Sequence, residues 1–207
     1  MLGDRTIAEH IIDWLYHNGI DEVIIATSGK KDLFEAIIQE RKEWPKITYK
    51  VSGSPMGTAG QLKHAMKGVK ETFVAVYGDG LIDANLCDMI SFHRERSPLA
   101  TIMAMEVVER SKYGFLRAGS EDELRKWEEK PERRGWISVG CFIMEPSFLK
   151  YIPEGERYGM DKAFNAAVKA GERVLIYRAE GSFIDLGDKR SYYREVRRFK
   201  EKLGVLP

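Results

Sequence analysis

Apolar positions along this chain recur with two different periods, and the switches between them mark out its elements. Ile7, Ile11, Ile12 and Leu15 keep the three-to-four spacing of one helix face. Thr6 and Glu9 stand ahead of that stripe as a capping box, and Gly19 closes it as a left-handed C-cap. The apolar run at 22–26 reads as a buried strand. Helix spacing returns over 32–41 through Leu33, Phe34, Ile37 and Ile38, and 47–51 alternates as a strand. Strand, helix and strand in tandem predict a parallel sheet with crossover helices.

The same reading carries on through the chain. A Gly- and Pro-rich loop, 52–62, runs into a helix over 60–69, apolar at Leu62, Ala65, Met66 and Val69. Residues 73–77, FVAVY, are expected as a strand covered on both faces. A helix over 84–95 and a buried strand over 99–105 follow. The pattern then changes to a hairpin, 114–118 and 124–130, around the turn residues 119–122. Beyond it lie a strand at 136–144, a short helix at 146–151, a helix at 160–170 and a strand at 173–179. A second strand end stands at 183–187, and a highly charged helix at 188–203 closes the chain. With no repeat, low-complexity stretch or linker, residues 1–207 are expected to form one domain whose second half is mixed.

Candidate chemistry centres on 73–83, FVAVYGDGLID. Gly78 stops the strand and puts Asp79 at its carboxyl end, where open α/β sheets bind ligands. A carboxylate there can hold Mg²⁺ against a phosphate; the plainer reading is a turn residue between two glycines. In the loop 52–62, Gly57 and Gly60 permit close approach of a ligand to a helix start. An ordinary connection with Thr58 as N-cap reads equally well. Lys130 before Pro131 fits a solvated turn, and Gly140 fits packing against a neighbouring strand. The four histidines are scattered over helices and suggest no chemistry.

Composition narrows the class. There are 33 Lys and Arg against 32 Asp and Glu, a net charge of +1 without a basic block. This argues against a dedicated nucleic-acid or membrane-surface protein. No apolar run is long enough to span a bilayer. The two cysteines, Cys87 and Cys141, suggest neither a zinc site nor a disulfide framework, so a cytoplasmic protein is expected. Charged residues make up 31% while Asn occurs three times and Gln twice, a balance typical of heat-adapted proteins.

Taken together, Pro55–Gly60 (PMGTAG), Tyr77–Gly80 (YGDG), Glu129–Pro131 (EKP) and Phe183–Asp188 (FIDLGD) resemble, in order and spacing, the sugar-phosphate nucleotidyltransferases, the pyrophosphorylases that make nucleotide-sugars. The likeness runs from Leu2 to about Tyr193. It implies an α/β fold: a Rossmann-like, mixed, mostly parallel sheet with flanking helices. It also implies that an NTP and a sugar-1-phosphate combine to an NDP-sugar and pyrophosphate, with Mg²⁺ held by Asp79 and Asp185. Lys130 matches the lysine that grips the sugar phosphate, and Glu129 the acceptor for sugar hydroxyls. Gly114 and Gly140 match positions presenting backbone to the sugar, and Gly57, Thr58 and Ala59 the loop that reads base and ribose. GTAG-type loops occur with several bases, so neither base nor sugar is named.

One departure is large. The family opens with an apolar strand and a G-G-x-G-T-R loop that wraps the triphosphate, whereas Met1-Leu2-Gly3-Asp4 leads directly into the first helix. Lys30-Lys31 is no substitute. The resemblance places that strand centrally, so about 20–30 residues are expected to be missing. Two strand edges should then lie open, unless the protein starts upstream of Met1, the edges close together, or another chain fills the gap. If these residues are the whole protein, catalysis should be crippled. The alternative function is then a non-catalytic subunit that binds sugar phosphate or nucleotide-sugar, as a homo-oligomer or beside a full-length partner. Smaller departures are Ser54, Ser138 and Asp188-Lys189-Arg190-Ser191.

Overall fold

The computed structural model describes residues 5–29, 31–38 and 43–202. Helix α1 (Ile7–His17) begins on the expected capping box: the Thr6 hydroxyl accepts from Glu9 N–H, and the Glu9 carboxylate accepts from Thr6 N–H. It ends with Ile20 N–H on the Leu15 carbonyl and Gly19 N–H on that of Tyr16, which satisfies carbonyls the helix cannot. Strand β1 (Glu22–Thr27), helix α2 (Lys31–Ile37) and strand β2 (Lys46–Val51) follow, and β1 pairs with β2 in parallel. The expected end of α2, at 39–41, and Met1–Asp4, Lys30 and Leu203 lie outside the described residues.

Helix α3 (Gly57–Ala65) starts three residues earlier than its apolar spacing predicts. Its N-cap is Met56, so Thr58 does not cap it. Strand β3 (Phe73–Val76) leads into β4 (Gly80–Asp83), a four-residue strand hidden between glycine and helix signals. Helix α4 (Leu86–Arg96) is capped by Asn85. Strand β5 (Ala100–Arg110) and strand β8 (Glu132–Met144) are both longer than expected, because they flank the hairpin β6 (Phe115–Ala118) and β7 (Leu124–Glu128). A short 3-10 helix (Pro146–Tyr151), α5 (Met160–Lys169), β9 (Val174–Arg178), β10 (Ser182–Asp185) and α6 (Lys189–Lys202) complete the order.

The central sheet has the order β3-β8-β5-β9. β8 is antiparallel to both β3 and β5, and β9 is parallel to β5, so β8 alone runs against its neighbours. The sheet is therefore mixed and mostly parallel in direction. β8 also shows why it sits at the centre. Val139, Cys141 and Ile143 enter the core shared with α1 and α4, while Phe142 and Met144 enter the core under α3 and α5. Period-two alternation of apolar residues on both faces produces an α/β/α sandwich.

β3 differs from the expectation of a covered strand. All four of its residues are half-buried. One edge is laddered to β8; the other faces a slot of about 1040 Å³. Val74, Ala75 and Val76 line it from β3, and Val23, Ile24 and Ile25 from β1. Among the described residues β1 pairs only with β2, so the edges stand open as expected and do not close together.

Candidate active site

The two predicted acids meet. Asp79 follows β3, and β4 then pairs antiparallel with β10 so that Gly80 lies opposite Asp185. Leu186 N–H donates to the Asp79 carbonyl at 2.8 Å, and Gly187 N–H to Asp185 Oδ1 at 2.9 Å. A methyl group in place of the Gly187 hydrogen would stand 3.1 Å from Asp79 Oδ2 and 3.2 Å from Asp185 Oδ1. Gly187 therefore keeps clear the space between two exposed carboxylates. Both carboxylates are exposed, and neither has an ion-pair partner among the described residues.

Among the described residues no group of three or more His, Cys, Asp or Glu is arranged to hold a metal. Two carboxylates nonetheless suit a hard ion that takes its remaining ligands from phosphate oxygens and water. The donor set at Gly187 is oxygen only, as Mg²⁺ requires.

Gly140 and Tyr77 form the floor next to this pair. Gly140 lies where the β5–β8 register shifts between Ile102 and Ala104, at φ +74°, a conformation that side chains rarely adopt. The Tyr77 ring occupies the space a side chain at Gly140 would need, with Cδ2 2.7 Å from a Cβ placed there. Tyr77 N–H also donates to the Gly140 carbonyl at 2.8 Å. Gly140 thus does pack against a neighbouring strand. Burial pushes the Tyr77 phenol up, a hydrogen bond with Thr58 pulls it down, and the charges of Asp79 and Asp161 push it up further.

The loop leading into α3 is tied to the segment before α5. Tyr158 N–H donates to the Met56 carbonyl, and the Tyr158 carbonyl accepts from Ala59 and Gly60 N–H at 3.0 and 3.2 Å. A side chain at Gly57 would come within 2.5 Å of that same carbonyl. The Thr58 hydroxyl accepts from Met160 N–H at 2.9 Å and so caps α5. Ala59 is completely buried. Two of the helix-start donors expected to face a ligand are therefore occupied within the fold. The sequence carries no signal for Tyr158, which fixes this loop.

Glu129, Lys130 and Gly114 sit together on a different, exposed part. Glu129 Oε2 accepts from Trp127 Nε1 at 3.0 Å, and Gly114 packs against both groups. Lys130 has φ +42° and lies 3.9 Å from the Glu129 carboxylate, with its side chain 65% exposed. No hydrogen bond or ion pair among the described residues joins these residues to Asp79 or Asp185.

The acid pair thus stands at strand ends of a mixed α/β sheet, the place where open α/β sheets commonly receive ligands. The sequence profile of the family described as Nucleotidyl transferase matches residues 1–202, and the chain belongs to that family. Two curated relatives are a UTP–glucose-1-phosphate uridylyltransferase of Synechocystis and a mannose-1-phosphate guanylyltransferase catalytic subunit beta of Dictyostelium discoideum. The first is 25% identical over 213 residues, covering 93% of this chain and 55% of the relative. The second is 28% identical over 196 residues, covering 91% and 54%. The chain thus spans about half the length of these relatives. The crystal structure of HddC from Yersinia pseudotuberculosis complexed with GMP-PN shares the fold, with a TM-score of 0.73 at 19% identity over 97% of this chain and 88% of that one.

Proposed function

We propose that this chain carries a sugar-1-phosphate nucleotidyltransferase site, forming an NDP-sugar and pyrophosphate from an NTP and a sugar-1-phosphate. The observation that carries this reading is the convergence of Asp79 and Asp185 on the open space beside Gly187. Family membership and the activities printed for the relatives support it. Bound Mg²⁺ would neutralise charge on the nucleotide phosphates. Asp79 and Asp185 would hold it, their backbone fixed by the Leu186 and Gly187 hydrogen bonds. An oxygen of the sugar phosphate forms a bond to the α-phosphorus, and the bond to the bridging oxygen breaks, releasing pyrophosphate. Such transfer depends on alignment and charge neutralisation rather than on a covalent nucleophile. Lys130 supplies a compact charge for the sugar phosphate, Glu129 accepts from sugar hydroxyls, and the exposed Gly114 leaves backbone accessible; Gly140, expected to do the same, is buried with its carbonyl on Tyr77 N–H and its N–H on the Ser138 hydroxyl, so it shapes the floor instead. Gly57 and Thr58 border the base side, with Ala59 holding the loop from inside.

The test is pyrophosphate release with Mg²⁺, a panel of NTPs, and glucose- and mannose-1-phosphate. Turnover that disappears on chelating Mg²⁺ is expected. Absence of turnover with every pair, together with absence of nucleotide binding, rejects the reading. A second reading, ligand binding without turnover, is favoured by one observation. The slot beside Asp79 has a single Lys or Arg in its lining, Arg94, so the described residues offer little charge to a leaving pyrophosphate there. Calorimetric binding of sugar phosphate or nucleotide-sugar without pyrophosphate release would support it.

A further inference from the structure

Glu129 is exposed, yet one of its oxygens is already engaged. Trp127 lies two residues before it on β7, so strand alternation sends both side chains to one face of the hairpin. There the Trp127 indole N–H donates to Glu129 Oε2 at 3.0 Å. The other oxygen, Oε1, stands 3.9 Å from Lys130 Nζ and accepts no hydrogen bond among the described residues. The carboxylate is thus held on one side and open on the side of the Lys130 ammonium.

Gly114 closes on this pair from the neighbouring strand end. A Cβ there would stand 2.7 Å from Trp127 Nε1 and 2.8 Å from Glu129 Oε2, so a side chain would press on both partners of the bond. The turn ahead of Gly114 is itself fixed. Ser111 N–H donates to the Pro131 carbonyl, and the Ser111 hydroxyl donates to the Tyr113 carbonyl at 2.9 Å and accepts from Tyr113 N–H at 3.1 Å. Backbone on both sides of the hairpin therefore frames one hydrogen bond between two exposed side chains.

The hairpin has other ties. On its opposite face Arg117 and Lys126 both pair with Glu128, and the Arg133 guanidinium lies over the Phe115 ring. An exposed indole N–H finds water as readily as a carboxylate, so the Trp127–Glu129 bond adds little to folding. Its consequence lies in binding. A side chain immobilised only when the ligand arrives costs affinity, and one held beforehand does not. We propose, on the functional reading given for this half of the site, that Trp127 is the positioning residue for sugar recognition. Its indole N–H holds Glu129 Oε2 and thereby presents Oε1, beside the Lys130 ammonium, to a hydroxyl of the sugar-1-phosphate.

The test reads binding rather than turnover. Glucose-1-phosphate and mannose-1-phosphate are titrated calorimetrically into the native chain, Trp127→Phe, Glu129→Ala and the double variant. Trp127→Phe keeps an aromatic ring and removes the donor. It should weaken sugar-phosphate binding about fivefold, the scale of immobilising one side chain on binding, and leave nucleotide binding unchanged. Added to Glu129→Ala it should weaken binding no further, because Trp127 acts through that carboxylate; a role in hairpin stability alone would cost the same in both backgrounds. Indole N–H resonances give a readout without ligand: of the four tryptophan signals, one should shift in Glu129→Ala, a comparison that needs no Trp127 variant to fold. Equal sugar-phosphate affinity in the native chain and Trp127→Phe, additive losses in the double variant, or four indole signals indifferent to Glu129→Ala would each overturn the inference and leave the functional reading standing. A native chain that binds neither sugar phosphate nor nucleotide and shows no turnover rejects both.

Discussion

The two halves of the proposed site are held in opposite ways. Asp79 and Asp185 are exposed, yet the backbone around them is fixed by the β4–β10 ladder and by two hydrogen bonds at 2.8 and 2.9 Å. Glu129 and Lys130 follow β7 at the edge of a two-stranded hairpin whose residues are mostly exposed, with Lys130 in a left-handed conformation. A pair that must share an ion needs fixed positions, because misplacement weakens alignment and charge neutralisation together. A single ammonium on a flexible stem can find a phosphate from a looser base. The proposed site is thus backbone-fixed where two groups would act as one, and set on a two-stranded hairpin where one group would act alone.

The largest expected effect breaks the rigid half. Asp79→Asn or Asp185→Asn should lower pyrophosphate release by at least about 100-fold, the scale of losing a charge-stabilising group. Stability in urea should change by less than about 0.5 kcal/mol, since Asn at 185 can still accept from Gly187 N–H and both residues are exposed. A large loss of stability with turnover kept would return Asp79 to a turn residue. Next comes the floor. Gly140→Ala meets both a left-handed backbone and the Tyr77 ring, and should cost about 2 kcal/mol by urea unfolding. Preserved stability there would show that Tyr77 moves freely.

The exposed half responds differently. Lys130→Ala and Lys130→Gly should both raise the KM for sugar phosphate about tenfold, the size of one charged hydrogen bond. Only the glycine variant relieves φ +42°, so it should be more stable than the alanine variant by about 1 kcal/mol. Equal stability would mean that the backbone there relaxes.

The fold was legible wherever a period was long enough to count. The Thr6–Glu9 capping box, the α1 stripe and the hairpin around 119–122 all follow from local chemistry. β4 was not legible, because four residues between a glycine pair and a helix start show no period. The acids could be named from their positions at strand ends. Their convergence could not, because it depends on the unseen β4–β10 pairing. Tyr158 escaped for a related reason: its backbone does the work, and backbone carbonyls leave no mark on residue type. The half-burial of β3 follows from the empty position beside it, which apolarity alone does not reveal.

A smaller effect concerns acid. Burial alone would raise the Asp13 carboxyl, but hydrogen bonds from Trp44 Nε1 and Arg5 outweigh it, so it titrates below its ordinary 3.8. Its stabilisation is present above the unfolded value and is lost as pH falls below 3.8 through the folded value. Asp13→Asn should therefore flatten the stability–pH curve below pH 3.8 and leave its neutral part parallel to that of the native chain. The smallest expected signal is chemical. Burial pushes the Cys141 thiol up to about 12, whereas Cys87 is exposed, so one thiol per folded chain should react with a disulfide reagent at pH 8 and two after unfolding.

The most direct test of the central claim, that Asp79 and Asp185 act together as a phosphate-bridging metal site, is calorimetric titration of nucleoside triphosphate with and without Mg²⁺. Native chain, Asp79→Asn, Asp185→Asn and the double variant are compared. The account predicts binding that depends on Mg²⁺, falls at least about tenfold in either single variant, and falls little further in the double variant. Mg²⁺-dependent binding of undiminished affinity in the double variant would contradict it.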